Sequence, residues 1–192
     1  QLITKAISTV LLLSLLAGAI YYYWNEDTKP QNEVVQADRG NQVGNLCYSF
    51  DLEIVTPDGV TEEKVNPVES GKITIINFWG TWCPGCVAEL PYFDKIASEY
   101  KDEVTVVAIH TDYRYKETAS EYVLNNYPDS KIIFAKDEAL NDEIDKYFTD
   151  LGGKNNMYPF TVILDENGVI LASLPRSVTY EELKSIVDTN LQ

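Results

Sequence analysis

The sequence predicts an α/β fold in which helices flank a central mixed β-sheet, with one transmembrane helix before it. Short β-branched runs at 72–79 and 104–110 are typical of strands that are buried on both faces of a sheet. Segments with helical patterning alternate with these runs along the chain, as in α/β domains. An Asp-Glu-Asn-Gly turn at 165–168 joins two further apolar runs and predicts an antiparallel hairpin, which makes the sheet mixed.

The remaining elements follow from turn and capping signals. A Thr-Pro-Asp-Gly turn at 56–59 separates two apolar segments and predicts an N-terminal β-hairpin. Thr179 and Glu182 have the spacing of a helix N-cap and its capping-box partner, and they predict the last helix. In chain order we expect strands at 46–55, 60–65 and 72–79, a helix at 83–100, a strand at 104–110, a helix at 116–126, a strand at 131–135, a helix at 141–148, strands at 161–164 and 169–173, and a helix at 179–189.

The composition excludes several classes of function. The 192 residues contain 15 Lys and Arg against 30 Asp and Glu, which gives a formal net charge of −15. This balance argues against a nucleic-acid partner, because such proteins need cations to displace counterions from phosphates. Three cysteines are too few for a disulfide scaffold, and a single histidine argues against a histidine-based metal centre. We therefore expect no metal and no cofactor, and we expect the cysteines to carry the chemistry.

Residues 1–24 have the pattern of a transmembrane anchor. Lys5 is their only charged residue, and the apolar run at 6–24 is nineteen residues long. A helix of that length rises roughly 28 Å, about the thickness of the hydrocarbon core of a bilayer. The run ends in three tyrosines and a tryptophan, rings that are enriched at membrane interfaces. One alternative is a cleaved signal peptide, because the Ala-Gly-Ala sequence at 17–19 satisfies the small-x-small rule of cleavage sites. The other is a buried core helix, although such a helix rarely lacks polar positions so completely.

The polar stretch at 25–45 predicts a linker, since it is rich in Asn, Gln, Asp and Glu and has no apolar periodicity. The folded domain then occupies 46–192. One basic residue before the span and an acidic domain after it favour a domain outside the cytoplasm. We therefore predict a single-pass protein of the cell membrane with an extracytoplasmic domain.

Cys83 and Cys86 lie three residues apart, between a predicted buried strand and a predicted helix. At a helix N-terminus, unpaired amides and the helix dipole lower the pKa of a thiol from about 8.5 toward roughly 3.5–7.5. The spacing places the second sulfur on the same face of the first turn, close enough to form a disulfide. Cys83 is then the attacking thiolate, and the more buried Cys86 resolves the mixed disulfide. The alternatives are an inert structural pair and a zinc half-site, for which only Cys47 and His110 remain as further ligands.

The segment Phe-Trp-Gly-Thr-Trp-Cys-Pro-Gly-Cys at 78–86 resembles the thioredoxin superfamily, and its details resemble the membrane-anchored TlpA/ResA-like branch. Pro91 matches the proline that kinks the active-site helix, and Tyr158-Pro159-Phe160 matches the cis-proline loop. The resemblance covers 45–192 and implies a thioredoxin-like fold, a central mixed β-sheet flanked by helices. The insert Pro84-Gly85 departs from the Glu-Pro that is usual in this branch, and this difference bears on the redox potential.

The resemblance also implies further site residues. Glu89 matches a glutamate beside the cysteines, and a carboxylate there could act as a proton relay; the alternative is a solvated side chain. Thioredoxin has a titratable Asp where this chain has Asn77. We expect Tyr158 and Pro159, with Trp82 and the Pro84-Gly85 insert, to bind the client; the aromatic rings could equally belong to the core.

The other candidate residues have simpler interpretations. Cys47 is expected to be a buried unpaired thiol, with a third redox thiol or an intermolecular disulfide as alternatives. His110 is expected to be a packing residue at the end of a strand. The acidic pairs at 137–138 and 142–143 are expected on solvated helix faces.

Together these observations predict a membrane-tethered, extracytoplasmic thiol–disulfide oxidoreductase that reduces client proteins through Cys83 and Cys86. The resemblance implies electrons from a membrane thiol carrier of the CcdA/DsbD type. It also implies clients such as apocytochrome c during cytochrome c maturation, or a reductase for oxidised methionine. The alternatives are a DsbA-like disulfide oxidase and a non-catalytic redox sensor or binding module of the same fold.

Overall fold

The computed structural model describes residues 38–111, 116–137, 139–140, 144–154 and 157–192. The predicted anchor at 1–24 and the first part of the predicted linker lie outside the described residues. Within the described part, the helices are too short and too polar to cross a bilayer. Residues 38–45, which the composition predicts as linker, belong to a compact unit, Ala37–Gln192. In this segment Gly44 N donates to Ile170 O at 2.9 Å.

The centre of the fold is a seven-stranded mixed sheet. The strands of the described residues are β1 (Leu52–Thr56), β2 (Gly59–Val65), β3 (Ile73–Trp79), β4 (Val104–His110), β5 (Ile133–Lys136), β6 (Ala139–Leu140), β7 (Ile144–Asp145), β8 (Phe160–Leu164) and β9 (Ile170–Leu174). The order in the sheet is β2-β1-β5-β4-β3-β8-β9, and β6 and β7 form a separate pair. The middle strands β3, β4 and β5 are parallel to one another, and β8 lies antiparallel to β3. Both predicted hairpins form: β1–β2 adds to one edge of the sheet and β8–β9 to the other.

In the described residues, four α-helices accompany the sheet: α1 (Pro84–Glu99), α2 (Lys116–Asn126), α3 (Lys146–Asp150) and α4 (Tyr180–Asn190). The bounds of α1, α2 and α4 agree with the prediction to within about a residue at each end. Thr179 caps α4 as predicted, and its side chain accepts from Glu182 N at 3.2 Å. The Glu182 carboxylate pairs with Arg176 instead of completing the capping box.

β3 is buried along its whole length, which is why its sequence shows no polar alternation. Ile75 and Trp79 face the core cluster that contains the buried side of α1, including Leu90. Ile76 and Phe78 face a second cluster on the opposite side of the sheet. Asn77 shares the face of Ile75 and Trp79 because side chains alternate along a strand, so a polar group lies on the α1 side of the core.

Three predicted elements differ from the structure. The first strand begins at Leu52 rather than at residue 46, because the preceding segment bonds elsewhere, with Cys47 N donating to Gly168 O. The helix predicted at 141–148 is instead the β6–β7 pair followed by α3; residues 141–143 lie outside the described residues. Asp137 is 4% exposed and not on a solvated helix face. Its carboxylate accepts from Tyr147 N at 2.9 Å and Phe148 N at 2.8 Å, which fixes where α3 begins.

Candidate active site

The two cysteines lie at the start of α1 and form a disulfide. Cys83 is the N-cap residue with an extended backbone, and its Sγ accepts from Cys86 N at 3.2 Å. Pro84 occupies the first helical position, where a missing N–H leaves no helical hydrogen bond unmade. Cys83 is 6% exposed and Cys86 is fully buried, so the first sulfur is the one that a client can approach. The sequence predicts this order of attack.

The Tyr158–Pro159 loop lies against the cysteine segment, and its peptide bond is cis. A Cβ atom built on Gly85 would lie 3.6 Å from Pro159 Cδ and 3.4 Å from Ser177 Oγ. Two loops from distant parts of the chain therefore meet at the middle of the Cys-x-x-Cys motif. Ser177 was missed by sequence reasoning, because no local pattern shows that the loop before α4 returns to α1.

Two aromatic rings meet beside the cysteine segment, one from the residue before Cys83 and one from the cis-proline loop. The Trp82 side chain is 41% exposed and meets the Tyr158 ring edge-on, with centroids 5.0 Å apart. The indole lies over Gly80, whose Cβ, if present, would be 2.5 Å from Trp82 Nε1. Behind this pair, Tyr158 stacks on Phe148 at 4.5 Å. Trp82 thus presents an apolar surface next to Cys83, whereas Trp79 is fully buried and belongs to the core.

Glu89 is a buried carboxyl group one helical turn after Cys86. Its Oε1 accepts from Asn77 Nδ2 at 3.0 Å, and its Oε2 accepts from Val178 N at 2.9 Å. Burial raises the pKa of Glu89 from its ordinary 4.5 to about 7, although the two hydrogen bonds act in the lowering direction. The alternative of a solvated Glu89 is wrong, since the side chain is 2% exposed. A carboxyl group with this pKa can take up and release a proton near neutral pH.

Two residues were missed by sequence reasoning, one that hydrogen-bonds Glu89 and one that hydrogen-bonds its partner Asn77. Val178 is buried in the same core cluster as the two cysteines, and its backbone N–H donates to the carboxylate. Thr161 pairs with Asn77 across β3 and β8, and its Oγ1 accepts from Asn77 Nδ2 at 3.1 Å. Only the strand register and the return of the chain after β9 bring these groups together, so neither carries a local signal.

The remaining candidates lie apart from this chemistry. Cys47 is fully buried and unpaired, as predicted, and its Sγ–H donates to Tyr48 O at 3.5 Å. Burial raises the pKa of Cys47 to about 11, so this thiol stays protonated at neutral pH. His110 is buried edge-on to the Trp79 ring at 5.1 Å, in a packing position. Across the described ranges, no three His, Cys, Asp or Glu side chains converge as metal ligands.

A helix-N-terminal Cys-x-x-Cys disulfide, a neighbouring cis-proline loop and this mixed sheet define a thiol–disulfide oxidoreductase with a thioredoxin-like fold. The chain belongs to the Redoxin family, whose model matches residues 50–186. The geometry brings Trp82, Cys83, Cys86, Glu89 and the Tyr158–Pro159 loop together. The individual roles of these residues stay predictions.

Similar proteins agree with this class. The chain is 30% identical over 179 residues to the thioredoxin-like protein YneN of Bacillus subtilis, covering 93% of this chain and 94% of YneN. It is 25% identical over 180 residues to the thiol-disulfide oxidoreductase ResA of Oceanobacillus iheyensis, covering 92% and 84%. A DsbF homologue from Corynebacterium diphtheriae superposes with a TM-score of 0.56 at 26% identity, covering 73% of this chain and 87% of that structure.

Proposed function

We propose that this protein reduces disulfides of client proteins outside the cytoplasm, with residues 1–24 holding it at the membrane. The observation that carries the proposal is Glu89, a buried proton acceptor one turn after the buried Cys86. A dithiol that acts as a reductant must deprotonate its second thiol inside the protein, where water has no access. Glu89 supplies a base at that point, with a pKa of about 7.

The reaction runs in two exchange steps from the dithiol form. The Cys83 thiolate attacks one sulfur of the client disulfide, and the other client sulfur leaves as a thiolate that takes a proton from solvent. The Cys86 thiol then gives its proton to the Glu89 carboxylate and attacks Cys83 Sγ. The bond between Cys83 and the client breaks, and the departing client thiolate is protonated as Glu89 loses its proton. Two electrons pass to the client, and the Cys83–Cys86 disulfide forms.

The client binds on the surface formed by Trp82, Pro84, Gly85, Tyr158 and Pro159. Trp82 and Tyr158 offer apolar ring surface, and the Pro-Gly insert adds no charge beside Cys83. Gly85 lies next to the Pro159 loop, where a Cβ would be 3.6 Å from Pro159 Cδ, so the insert and the cis-proline loop form one continuous surface. Such a surface selects an accessible disulfide more than a particular client sequence.

The surroundings of the cysteines favour reduction over oxidation of clients. A strongly oxidising pair needs a highly stabilised reduced form. Here, within the described residues, the hydrogen bond to Cys83 Sγ comes from Cys86 N, and neither sulfur is bonded to a basic side chain. An ionised Glu89 also disfavours a second negative charge nearby. Both features limit stabilisation of the thiolate and thus lower the reduction potential.

The electron source and the clients are part of the proposal. A membrane thiol carrier of the CcdA/DsbD type would return the Cys83–Cys86 disulfide to the dithiol, and apocytochrome c would be a client. The resemblance to the TlpA/ResA-like branch supports both. A retained anchor keeps the domain close to such a carrier, and removal of residues 1–24 should release the protein from the membrane fraction.

The reduction potential of Cys83–Cys86, measured against glutathione, tests the direction. We expect a value near that of thioredoxin, about −270 mV, whereas about −120 mV would indicate an oxidase instead. A Cys86→Ser variant should trap clients as mixed disulfides through Cys83, and Cys83→Ser,Cys86→Ser is the matched control. Failure to reduce insulin, together with an empty trap, would support the non-catalytic alternative.

A further inference from the structure

Asn77 carries a buried amide group whose nitrogen and oxygen differ in the number of hydrogen bonds they make. Nδ2 donates to Glu89 Oε1 at 3.0 Å and to Thr161 Oγ1 at 3.1 Å. Oδ1 is also buried, but it has no hydrogen-bond partner among the described residues. Asn77 and Thr161 are fully buried and Glu89 is 2% exposed, so water does not compete for these bonds. A buried acceptor without a donor is unfavourable, and its presence requires an explanation.

The orientation of the amide matches one protonation state of Glu89. A carboxylate accepts hydrogen bonds and donates none, so the Nδ2 donor of Asn77 is the suitable partner. A protonated carboxyl group has an O–H that needs an acceptor. Val178 N holds Oε2 as an acceptor in both states, so the proton falls on Oε1, which faces Asn77. With the amide fixed, that O–H would point at another donor.

We propose that Asn77 is an amide switch that presents Nδ2 to ionised Glu89 and, after a half-turn about its Cβ–Cγ bond, presents Oδ1 to protonated Glu89. Thr161 accommodates both orientations, because a hydroxyl group accepts from Nδ2 in one state and donates to Oδ1 in the other. The acceptor that lacks a partner in the described part of the chain is thus the one that the other state uses.

The groups around this carboxyl come from four elements. α1 contributes Cys86 one turn earlier, β3 contributes Asn77, β8 contributes Thr161, and the loop before α4 contributes the N–H of Val178. Of these groups only the Cys86 thiol is titratable, and only once the disulfide is reduced. Burial and the two hydrogen bonds are the influences on the pKa of Glu89, which lies at about 7.

The inference rests on the proposed relay role of Glu89 and assigns Asn77 as its positioning residue. A relay must be stable both before and after it accepts the proton of Cys86. An aspartate at position 77 would add a charge to this site, and a leucine would hydrogen-bond neither state. An asparagine with a hydroxyl neighbour can hydrogen-bond both states without a net change in charge.

NMR of the full chain in its disulfide form tests the switch without any substitution in the site. The Asn77 side-chain amide and the Glu89 carboxyl carbon are followed between pH 5 and 9. We expect nuclear Overhauser contacts from the Asn77 amide protons to Thr161 at high pH and their loss at low pH, with the midpoint of the Glu89 titration. In Glu89→Gln the contacts should no longer depend on pH. A chemical-shift change with unaltered contacts would be a through-space charge effect and would overturn the switch.

Infrared difference spectra provide a second readout. The carbonyl band of protonated Glu89, assigned by its absence in Glu89→Gln, reports whether the O–H is hydrogen-bonded. Asn77→Leu should move this band to higher frequency, and Thr161→Val, which leaves the Asn77 acceptor in place, should not. An unchanged band in Asn77→Leu would overturn the proposal. Insulin reduction is measured separately. A protein that fails to reduce insulin would contradict the proposed function, but the infrared and NMR results would still decide whether the Asn77 amide turns.

Discussion

Glu89 Oε2 and Val178 N are joined by a hydrogen bond of 2.9 Å between residues 89 positions apart in the sequence. The bond ties the helix that carries both cysteines to the loop before α4. Because the acceptor is a buried carboxyl group, the protonation state of Glu89 affects the stability of the fold as well as the redox chemistry.

The free energy of unfolding should therefore depend on pH through Glu89. Its pKa is about 7 in the folded protein against an ordinary 4.5, so the folded state keeps a proton that the unfolded chain has lost. The contribution of this proton to stability is fully present below about pH 4.5 and is lost as the pH rises through 7. The loss amounts to about 3 kcal/mol, because each pKa unit corresponds to about 1.4 kcal/mol.

The measurement is urea unfolding of wild type and Glu89→Gln at several pH values. Between pH 4.5 and pH 8, the free energy of unfolding of Glu89→Gln should rise by about 3 kcal/mol relative to that of wild type. The prediction concerns this change with pH and holds for any difference between the two proteins at low pH. Glu62→Gln, at an exposed position on β2, is the control and should follow the wild-type curve. A difference between wild type and Glu89→Gln that is independent of pH would contradict this prediction.

Cys47 should be chemically silent in the native protein. The thiol is fully buried and its pKa is raised to about 11, so neither access nor ionisation favours reaction at pH 8. With Cys83–Cys86 oxidised, Ellman's reagent should find no thiol in native protein and one thiol in guanidinium chloride. Cys47→Ala should show none in either condition and should keep the rate of insulin reduction. Rapid modification of native Cys47 would instead indicate a third redox thiol.

The sequence predicted the parts of the site that are encoded locally. Cys83 and Cys86 follow a buried strand and begin a helix, so spacing alone predicts that segment. Tyr158-Pro159, just before the final hairpin, was predicted from the family resemblance. Glu89 was also predicted from the resemblance, and its position one turn after Cys86 puts both side chains on the same helix face. Each of these signals spans a few residues of chain.

The contacts that tune the site could not be predicted because they depend on register and on distant returns of the chain. Thr161 faces Asn77 only in the observed pairing of β8 with β3. Val178 reaches Glu89 only because the chain turns back after β9. Asp137 was misassigned since an acidic pair in sequence does not show whether a carboxylate is solvated or accepts two backbone N–H groups.

Asp137 should be important for the stability of α3. Its carboxylate accepts from the N–H groups of Tyr147 and Phe148, and Asp137→Ala would leave both donors without it. We expect a loss of about 3 kcal/mol in the free energy of unfolding, since hydrogen bonds to charged groups contribute about 1.5–3 kcal/mol each. Asp137→Asn keeps one acceptor oxygen, so its free energy of unfolding should fall by roughly half as much as that of Asp137→Ala. The exposed Asp129→Ala should change stability by less than about 0.5 kcal/mol, and an equal effect at both positions would contradict the assignment.

Gly80 should set the position of the Trp82 ring on the client surface. An alanine at Gly80 would place its Cβ 2.5 Å from Trp82 Nε1 and 2.6 Å from Cε2, so the indole must move away. Loss of that packed ring should raise the KM for a client disulfide about fivefold, the equivalent of about 1 kcal/mol, with kcat nearly unchanged. The measurement is the rate of reduction of a disulfide-linked fluorescent peptide over a range of concentrations.

A double-mutant cycle separates the position of the ring from a general effect on the backbone. If Gly80 acts through Trp82, then Gly80→Ala should have no further effect on KM in a Trp82→Ala background, because the side chain that it displaces is absent. The two single variants should then resemble each other and the double variant. The same fivefold increase from Gly80→Ala in both backgrounds would show instead that the added methyl group disturbs the turn before Cys83, whose N–H donates to Gly80 O at 3.0 Å.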